Sequence, residues 1–333
     1  MTTLAPDTTH EVMAIAAELP DRLWRRAMAS GRVAAGGGVL GLILLLCLPT
    51  LYWTTNPDSR FYYDQQNADA ALKSPAARPL DRLFGTDALG RGLLGRCLLG
   101  GVISLGIGIG SAAISVALGV GVGLLAGYRG GWTDALLMRS VDVLYGLPYI
   151  LLVILFKIAL ESPLVKVAEH LQWGQTHWFS ATMAANLVVL FLAIGLVSWL
   201  TMARVVRGQV LSLRAQPFIE ACKATGLREW RIFTRHLLPN LVGPVTVYAT
   251  LTVPVAILEE SFLSFLGIGI QAPLPTWGSL ASEGLSKALN PINSRWWLLV
   301  IPCIFLAVTL LALNFVGDGL RDVFDPKREV AKV

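Results

Sequence analysis

Six long apolar stretches dominate this sequence and limit what it can fold into. An α-helix of about 20 apolar residues is long enough to cross the hydrocarbon core of a bilayer. Only 15% of the residues are charged, against about 25% in soluble domains. The lengths and the composition together predict an all-α membrane protein with six transmembrane helices. The six stretches are residues 33–52, 102–127, 135–160, 184–203, 241–266 and 297–316.

The positions of Lys and Arg predict how these helices are oriented. Cytoplasmic segments of membrane proteins carry an excess of Lys and Arg. If the N-terminus is cytoplasmic, most of the 27 Lys and Arg residues fall in cytoplasmic segments, so both termini are expected inside. The net charge of +5 follows from this excess. The expected segments are a cytoplasmic arm at 1–32, a first transmembrane helix at 33–53, a periplasmic segment at 54–100, a five-helix core at 101–317 and a cytoplasmic tail at 318–333.

The sequence gives no strong signal for a nucleotide, metal or nucleic-acid site. Residues 90–97, GRGLLGRC, have the spacing of a P-loop, but Arg96 and Cys97 stand where that loop needs a lysine and a hydroxyl. The four cysteines are scattered, and His170 and His177 have no third ligand nearby. No basic stripe is interleaved with aromatic residues in the way that suggests nucleic-acid binding.

Residues 216–240 lie between apolar stretches and are predicted to form two short helices. Pro217 suits the first turn of a helix, where its missing N–H costs nothing. Glu220 then lies near the positive end of that helix and Lys223 near its negative end. Gly226 is placed to end the helix in a left-handed conformation.

Apolar spacing in this segment predicts which surface is buried. Four residues of the first helix are spaced i, i+3, i+4 and i+7, which predicts one buried face. These residues are Phe218, Ala221, Cys222 and Thr225. Pro239 is expected to end the second helix. An ordinary helical hairpin in a cytoplasmic loop has the same periodicity.

The same segment resembles the EAA loop of binding-protein-dependent ABC importer permeases. The similarity rests on Glu220 and Ala221, on Gly226, and on the later Ile232, His236 and Leu238-Pro239, with Cys222 where a small alanine-like residue is usual. In that family the loop is a coupling helix that docks on the ATPase subunit. The resemblance implies that the ATPase is contacted by Phe218, Glu220, Ala221, Lys223, Ala224, Gly226 and Arg228.

Other motifs resemble dipeptide and oligopeptide permeases in particular. Residues 85–92 are similar to GTDxxGRD, with Gly92 in place of the usual aspartate, and residues 139–148 are similar to RxxDxxxxLP. Arg139 and Asp142 are three residues apart and are expected to pair on one helix. The resemblance extends over about residues 84–328 and implies the type I ABC importer transmembrane fold with a cytoplasmic coupling helix.

Three glycines in the second apolar stretch recur at intervals of four. Gly119, Gly123 and Gly127 therefore share one helix face. Small residues at this spacing let two helices approach closely in lipid. The pattern predicts tight helix packing at this face.

Two adjacent carboxylates end the fifth apolar stretch. Residues 260–269, ESFLSFLGIG, resemble the ExxLSFLGxG signature, which Glu260 matches, whereas Glu259 is a departure. A helix over 241–270 would be about 45 Å long, so its outer part is expected to break. Glu260 is expected to face inward near an outer gate, accepting hydrogen bonds from the backbone at the break, and Glu259 to reach the headgroups. Glu260 and Ser264 are the candidates for the translocation path or gate.

The resemblance implies a non-catalytic permease subunit of a peptide importer in the inner membrane. It implies a second permease subunit, two ATPase subunits that bind ATP and magnesium, a periplasmic or lipid-anchored binding protein and surrounding lipid, with no cofactor on this chain. Similar subunits carry nickel chelates, glutathione or opines, and the substrate stays open. A secondary transporter would need ionisable residues in its spans, and an intramembrane enzyme a nucleophile with a base. Only Glu259, Glu260 and nearby serines offer a hint of either.

Overall fold

The chain folds into helices. The computed structural model describes residues 28–171 and 180–324, and no β-strand occurs in this part of the chain. The all-α prediction is confirmed. The predicted N-terminal arm up to residue 27, the end of the tail from residue 325, and His177 lie outside the described residues. The helices are α1 (Gly31–Cys47), α2 (Leu51–Thr55), α3 (Leu93–Arg129), α4 (Gly131–Tyr145), α5 (Tyr149–His170), α6 (Ala181–Arg214), α7 (Pro217–Ala224), α8 (Glu229–Ile232), α9 (Leu238–Phe265), α10 (Trp277–Ala288) and α11 (Trp297–Phe324).

Four of the six predicted spans are single helices that are long and apolar enough to cross a membrane. They are α3, α6, α11 and the continuous run from α8 to α9. The third predicted span is the pair α4 and α5, which is bent by 98° at its break. Helix α1 has 17 residues, about the shortest length that spans a bilayer core. The count of six therefore requires the bent pair and α1 each to be one span.

Helices α3 and α6 form the central packed pair of the bundle. A Cβ atom on Gly123 would lie 2.6 Å from the Ala203 carbonyl oxygen, and one on Gly119 would lie 2.5 Å from Cβ of Met202. Gly127 is similarly close to Val210, where a Cβ atom would lie 2.8 Å from the Val210 Cβ. The predicted tight packing at the three glycines is confirmed, because no side chain fits between the two backbones.

The remaining helices are arranged around this pair. Helix α9 packs against α3, α6 and α11, while α5 packs against α6. Helix α1 packs mainly against α11, at the edge of the bundle. Helix α10 is short and follows the break after α9, which ends at Phe265. The expected interruption of the fifth apolar stretch is therefore confirmed.

Two ion pairs fasten α4 to α6. An Nη of Arg204 lies 2.7 Å from a carboxylate oxygen of Asp142, and Arg207 Nη2 lies 2.6 Å from Asp134. The predicted pair between Arg139 and Asp142 is wrong. The long guanidinium side chain of Arg204 reaches across from the neighbouring helix, where it also lies over the Tyr145 ring, and tertiary packing overrides the local i, i+3 spacing.

A buried ion-pair cluster holds residues 54–92 against the bundle. Asp87 binds the side chains of Arg91 and Arg96, each at 2.7 Å. Arg96 is 1% exposed and also binds Glu283 of α10 at 2.7 Å. Burial lowers the pKa of Arg91, but Asp87 and Asp64 raise it, and its pKa lies above the ordinary value. Arg96 stands where a P-loop would have its lysine. Its side chain is part of this ion-pair cluster.

The departure at Gly92 does not disturb this segment. Gly92 precedes α3 and supplies no side-chain cap. The Asp87 carboxylate instead accepts hydrogen bonds from the backbone N–H groups of Leu89 and Arg91, both at 2.9 Å. The local turn is therefore held by Asp87.

We expect Gly123→Leu to destabilise the bundle and Gly121→Leu to be tolerated. A side chain at Gly123 would overlap α6, whereas a Cβ atom on Gly121 meets nothing within 4 Å. Overpacking of this kind costs about 1–3 kcal/mol. The measurement is the apparent Tm of each purified variant in detergent. Equal Tm values for the two variants would contradict the packing described for α3 and α6.

Candidate coupling hairpin and outer gate

The first helix of the hairpin has the ends that the sequence predicts. Helix α7 begins at Pro217, with Glu220 in its first turn and Lys223 in its last turn. Gly226 has φ of +71°, so its left-handed conformation is confirmed. A residue with a Cβ atom is disfavoured there, since this region is open mainly to glycine.

The predicted buried face of α7 is wrong. Phe218 is 41% exposed, and Ala221 and Thr225 are exposed as well, with Cys222 half-buried. The buried residue is Ile219, which is 0% exposed and packs with Ile232 and Leu237. Periodicity identifies a face, but it does not say whether residues of the same chain cover that face.

The second helix does not end at Pro239. A π-helical turn, Phe233–Leu237, joins α8 directly to α9, and Pro239 lies in the first turn of α9. In an α-helix, proline removes one backbone hydrogen bond and clashes with a carbonyl of the preceding turn. The wider π turn lies where that clash would occur, so the chain continues into the membrane span without a break.

The base of the hairpin is fixed to the central helix pair. Arg214, the last residue of α6, donates to the carbonyl oxygens of Gly127 at 2.9 Å and Tyr128 at 2.7 Å. These carbonyls end α3, where a cation is favourable. The Tyr128 ring packs edge-on against Phe233. The hairpin is therefore attached to the ends of both α3 and α6.

The residues named by the EAA resemblance are on the solvent-exposed parts of this hairpin. All seven are exposed, and none forms an ion pair within the described residues. Behind them lie Ile219, Ile232 and Leu237. The seven residues are Phe218, Glu220, Ala221, Lys223, Ala224, Gly226 and Arg228.

Glu260 lies in a buried hydroxyl cluster at the other end of the bundle. Its side chain is 0% exposed, as its predicted inward orientation requires. It accepts hydrogen bonds from the hydroxyls of Ser264 at 2.7 Å, Ser104 at 3.2 Å and Ser261 at 3.4 Å. The prediction that backbone N–H groups at the break donate to Glu260 is wrong, since these N–H groups donate to carbonyl oxygens of α9.

This cluster joins α3, α9 and α10. Ser104 of α3 accepts from the backbone N–H of Trp277 at 3.3 Å while its hydroxyl donates to Glu260. Thr276, at the start of α10, contacts the Ser264 hydroxyl at 3.4 Å. The buried Trp277 ring donates to the carbonyl oxygen of Cys97 at 3.0 Å. The start of α10 is thereby held against the membrane helices.

Glu259 has a polar partner within the bundle. Its carboxylate accepts a hydrogen bond from the Tyr149 hydroxyl, which also contacts Ser198 of α6 at 3.1 Å. Ser198 is ~24 Å along α6 from Arg214, at 1.5 Å per residue, so this contact lies near the middle of α6. The headgroup prediction did not include this partner, which Tyr149 provides from the start of α5.

Lys157 and Tyr149 are polar residues that the sequence reasoning missed. The Lys157 side chain is 7% exposed and donates to the carbonyl oxygens of Ile268 and Gly269, just beyond the end of α9. Buried backbone carbonyls outside a helix need such a donor, because an unpaired one is costly. A lone lysine inside an apolar stretch is itself a signal, since such residues usually have a partner or a function.

The membrane-length helices, with an exposed hairpin between two of them, define a multi-pass membrane protein. The family of binding-protein-dependent transport system inner membrane components matches residues 119–330. The chain therefore belongs to that family, whose members are permease subunits of ABC importers. It is a multi-pass inner-membrane protein with the type I importer fold.

Several curated relatives cover nearly the whole chain. The oligopeptide transport system permease protein OppC of Escherichia coli K12 is 43% identical over 92% of this chain and 91% of its own length. The dipeptide permease DppC of Bacillus subtilis 168 is 38% identical over 91% and 84%. The glutathione permease GsiD of Pectobacterium atrosepticum is 33% identical over 91% and 90%. Among solved structures, an inward-facing MetNI methionine ABC transporter matches with 19% identity and a TM-score of 0.49, over 69% of this chain and 97% of that chain.

We expect Glu260→Ala to destabilise the protein, and Glu260→Gln to do so less. The alanine leaves several buried hydroxyls without an acceptor, at about 1–3 kcal/mol for each such group, whereas glutamine keeps one acceptor oxygen. Apparent Tm in detergent measures the effect. Glu169→Ala is the control, because Glu169 is exposed on α5. An unchanged Tm for Glu260→Ala would show that the hydroxyl cluster does not hold α10.

Proposed function

We propose that this chain is one of two permease subunits of an ATP-driven importer of short peptides. The observation that carries the substrate class is the identity of 36–45% to permeases named for oligopeptide or dipeptide transport. The chain itself performs no bond chemistry. Two ATPase subunits bind ATP and magnesium, and a periplasmic or lipid-anchored binding protein delivers the peptide.

Glutathione is the second candidate substrate. The similarity to a permease named for glutathione transport, at 33% identity, supports it. Glutathione is itself a small peptide, so the two candidates differ in specificity and not in mechanism. ATP-dependent uptake by the assembled complex, compared between a library of short peptides and glutathione, separates them. Uptake of neither would contradict the proposed function.

The ATPase docks on the exposed surface of the hairpin in this proposal. Phe218 and Ala221 give that surface an apolar centre, and Glu220, Lys223 and Arg228 place charges around it. An apolar centre with a polar rim is the usual anatomy of an interface. Because the packing of Ile219 and the bonds of Arg214 join the hairpin to α6 and α3, a displacement of the hairpin is transmitted to the spans.

The outer gate is formed by Glu260 and Ser264 in this proposal. Both side chains are buried, and they act by holding α10 against α3 and α9. The break after α9 and helix α10 face the periplasm, together with residues 54–100. The N- and C-termini and the hairpin face the cytoplasm, as the distribution of Lys and Arg favours.

We expect Gly226→Val to abolish the ATPase activity that loaded binding protein stimulates, without loss of membrane insertion. Valine at a left-handed position is strongly disfavoured, so the end of α7 must reorganise. Gly208→Val is the matched control, because a Cβ atom meets nothing within 4 Å at either glycine and only Gly226 has positive φ. Normal stimulation in Gly226→Val would remove the hairpin from the coupling mechanism.

We expect single cysteines at Asp69 and Ala272 to react with a membrane-impermeant thiol reagent in intact spheroplasts. Both positions are exposed and lie in the segments assigned to the periplasm. The background must lack the four native cysteines, since Cys303 is exposed. A cysteine at Arg228 should react only after permeabilisation. The reverse pattern would invert the proposed orientation.

A further inference from the structure

Glu259 stands in the wall of a cavity that the hydroxyl cluster does not include. The cavity has a volume of about 320 Å³ and lies between α5 and α9, open to the outside of the chain. Its other walls are apolar or aromatic. They are formed by Tyr149, Ile150, Val153, Leu258, Phe262 and Leu263. A cavity of this size is at the lower end of the range for small-ligand sites, about 300–1,000 Å³.

The carboxylate of Glu259 has no cationic partner in the part of the chain that is described. One carboxylate oxygen accepts from the Tyr149 hydroxyl, and no other hydrogen bond or ion pair involves the group among these residues. The nearest basic residue along α5, Lys157, is committed to two backbone carbonyls. Glu260 points into its own hydroxyl cluster on the other side of α9.

A carboxylate in a membrane-spanning helix is costly against lipid, so such residues usually face a bundle interior or a water-filled cavity. This cost favours an orientation of the open side toward the translocation path over one toward acyl chains. Tyr149 binds one oxygen of the carboxylate and leaves the other without a hydrogen-bond partner among the described residues. The rings of Tyr149 and Phe262 stand beside it, and aromatic faces attract cations.

We propose that Glu259 and Tyr149 bind the ammonium group of a peptide during its passage, such as the free amino terminus. This inference rests on the proposed function and names a specificity site within it. Two features are complementary to an ammonium group: an unpaired carboxylate oxygen for its charge and aromatic walls around it. The cavity has room for one charged end of a peptide together with its first side chain.

The test uses the assembled complex in proteoliposomes with its binding protein. A library of di- to pentapeptides is supplied in free and N-acetylated form, and uptake per ATP hydrolysed is read by mass spectrometry. In Glu259→Gln, we expect the preference for free over acetylated peptides to fall about tenfold, as loss of a charge-assisted hydrogen bond predicts. The contribution of the binding protein to this preference cancels, because the same binding protein is used with the wild-type complex and with the Glu259→Gln complex.

Three further variants complete the comparison. Glu259→Asp keeps the charge and should retain most of the preference, and Tyr149→Phe should lose less of it than Glu259→Gln. Glu169→Gln, an exposed carboxylate of α5, should behave as wild type. Assembly with the second permease subunit and the ATPase subunits should persist in all of them, and ATPase stimulation should be unchanged in Glu169→Gln, which separates loss of the site from structural damage.

Three results would overturn the proposal. An unchanged preference in Glu259→Gln would show that the carboxylate does not contact the substrate. Loss of the second permease subunit from the purified Glu259→Gln complex would show that the missing cation belongs to that partner. If the wild-type complex imports no peptide, the proposed function fails before any variant is compared.

Discussion

Close contact between α3 and α6 is the interaction on which the rest of the structure depends. In lipid, apolar burial does not drive helices together, and association relies on van der Waals contact and hydrogen bonds. Gly119, Gly123 and Gly127 allow the two backbones to touch, so many weak contacts act along the pair. The same pair ends where Arg214 binds the last carbonyls of α3. The hairpin at one end is attached to both helices of this pair, and the hydroxyl cluster at the other end includes Ser104 of α3.

Polar groups inside the bundle are used to hold helix ends and breaks. Glu260 accepts hydrogen bonds from hydroxyls of α3 and α9, and Lys157 donates to two backbone carbonyls just beyond the end of α9. Each unsatisfied polar group would cost several kcal/mol in a bilayer core. These contacts therefore stabilise the interrupted geometry around α10, which apolar packing by itself would not specify. Glu259 is the exception, because its carboxylate lacks a positive partner in the described part of the chain.

Several local expectations were wrong for the same reason. Asp142 pairs with Arg204 and not with Arg139, Pro239 is accommodated by a π turn, and Ile219 rather than Phe218 is buried in α7. In each instance the local spacing allowed the expected contact. The contact that actually forms was decided by a neighbouring helix, or by the direction in which the chain enters the helix. Because Phe218 is exposed, the apolar side chain is available to contact another protein.

The sequence by itself determined the helical membrane class, the family and the ends of α7. Apolar length, proline and glycine placement, and helix-end charges act over a few residues, so they can be read without knowledge of the neighbours. The tertiary structure decided which of two adjacent carboxylates is enclosed by hydroxyls and which lines a cavity. Glu259 and Glu260 differ by about 100° around α9, and only the positions of α3, α5 and α10 give these two directions different surroundings.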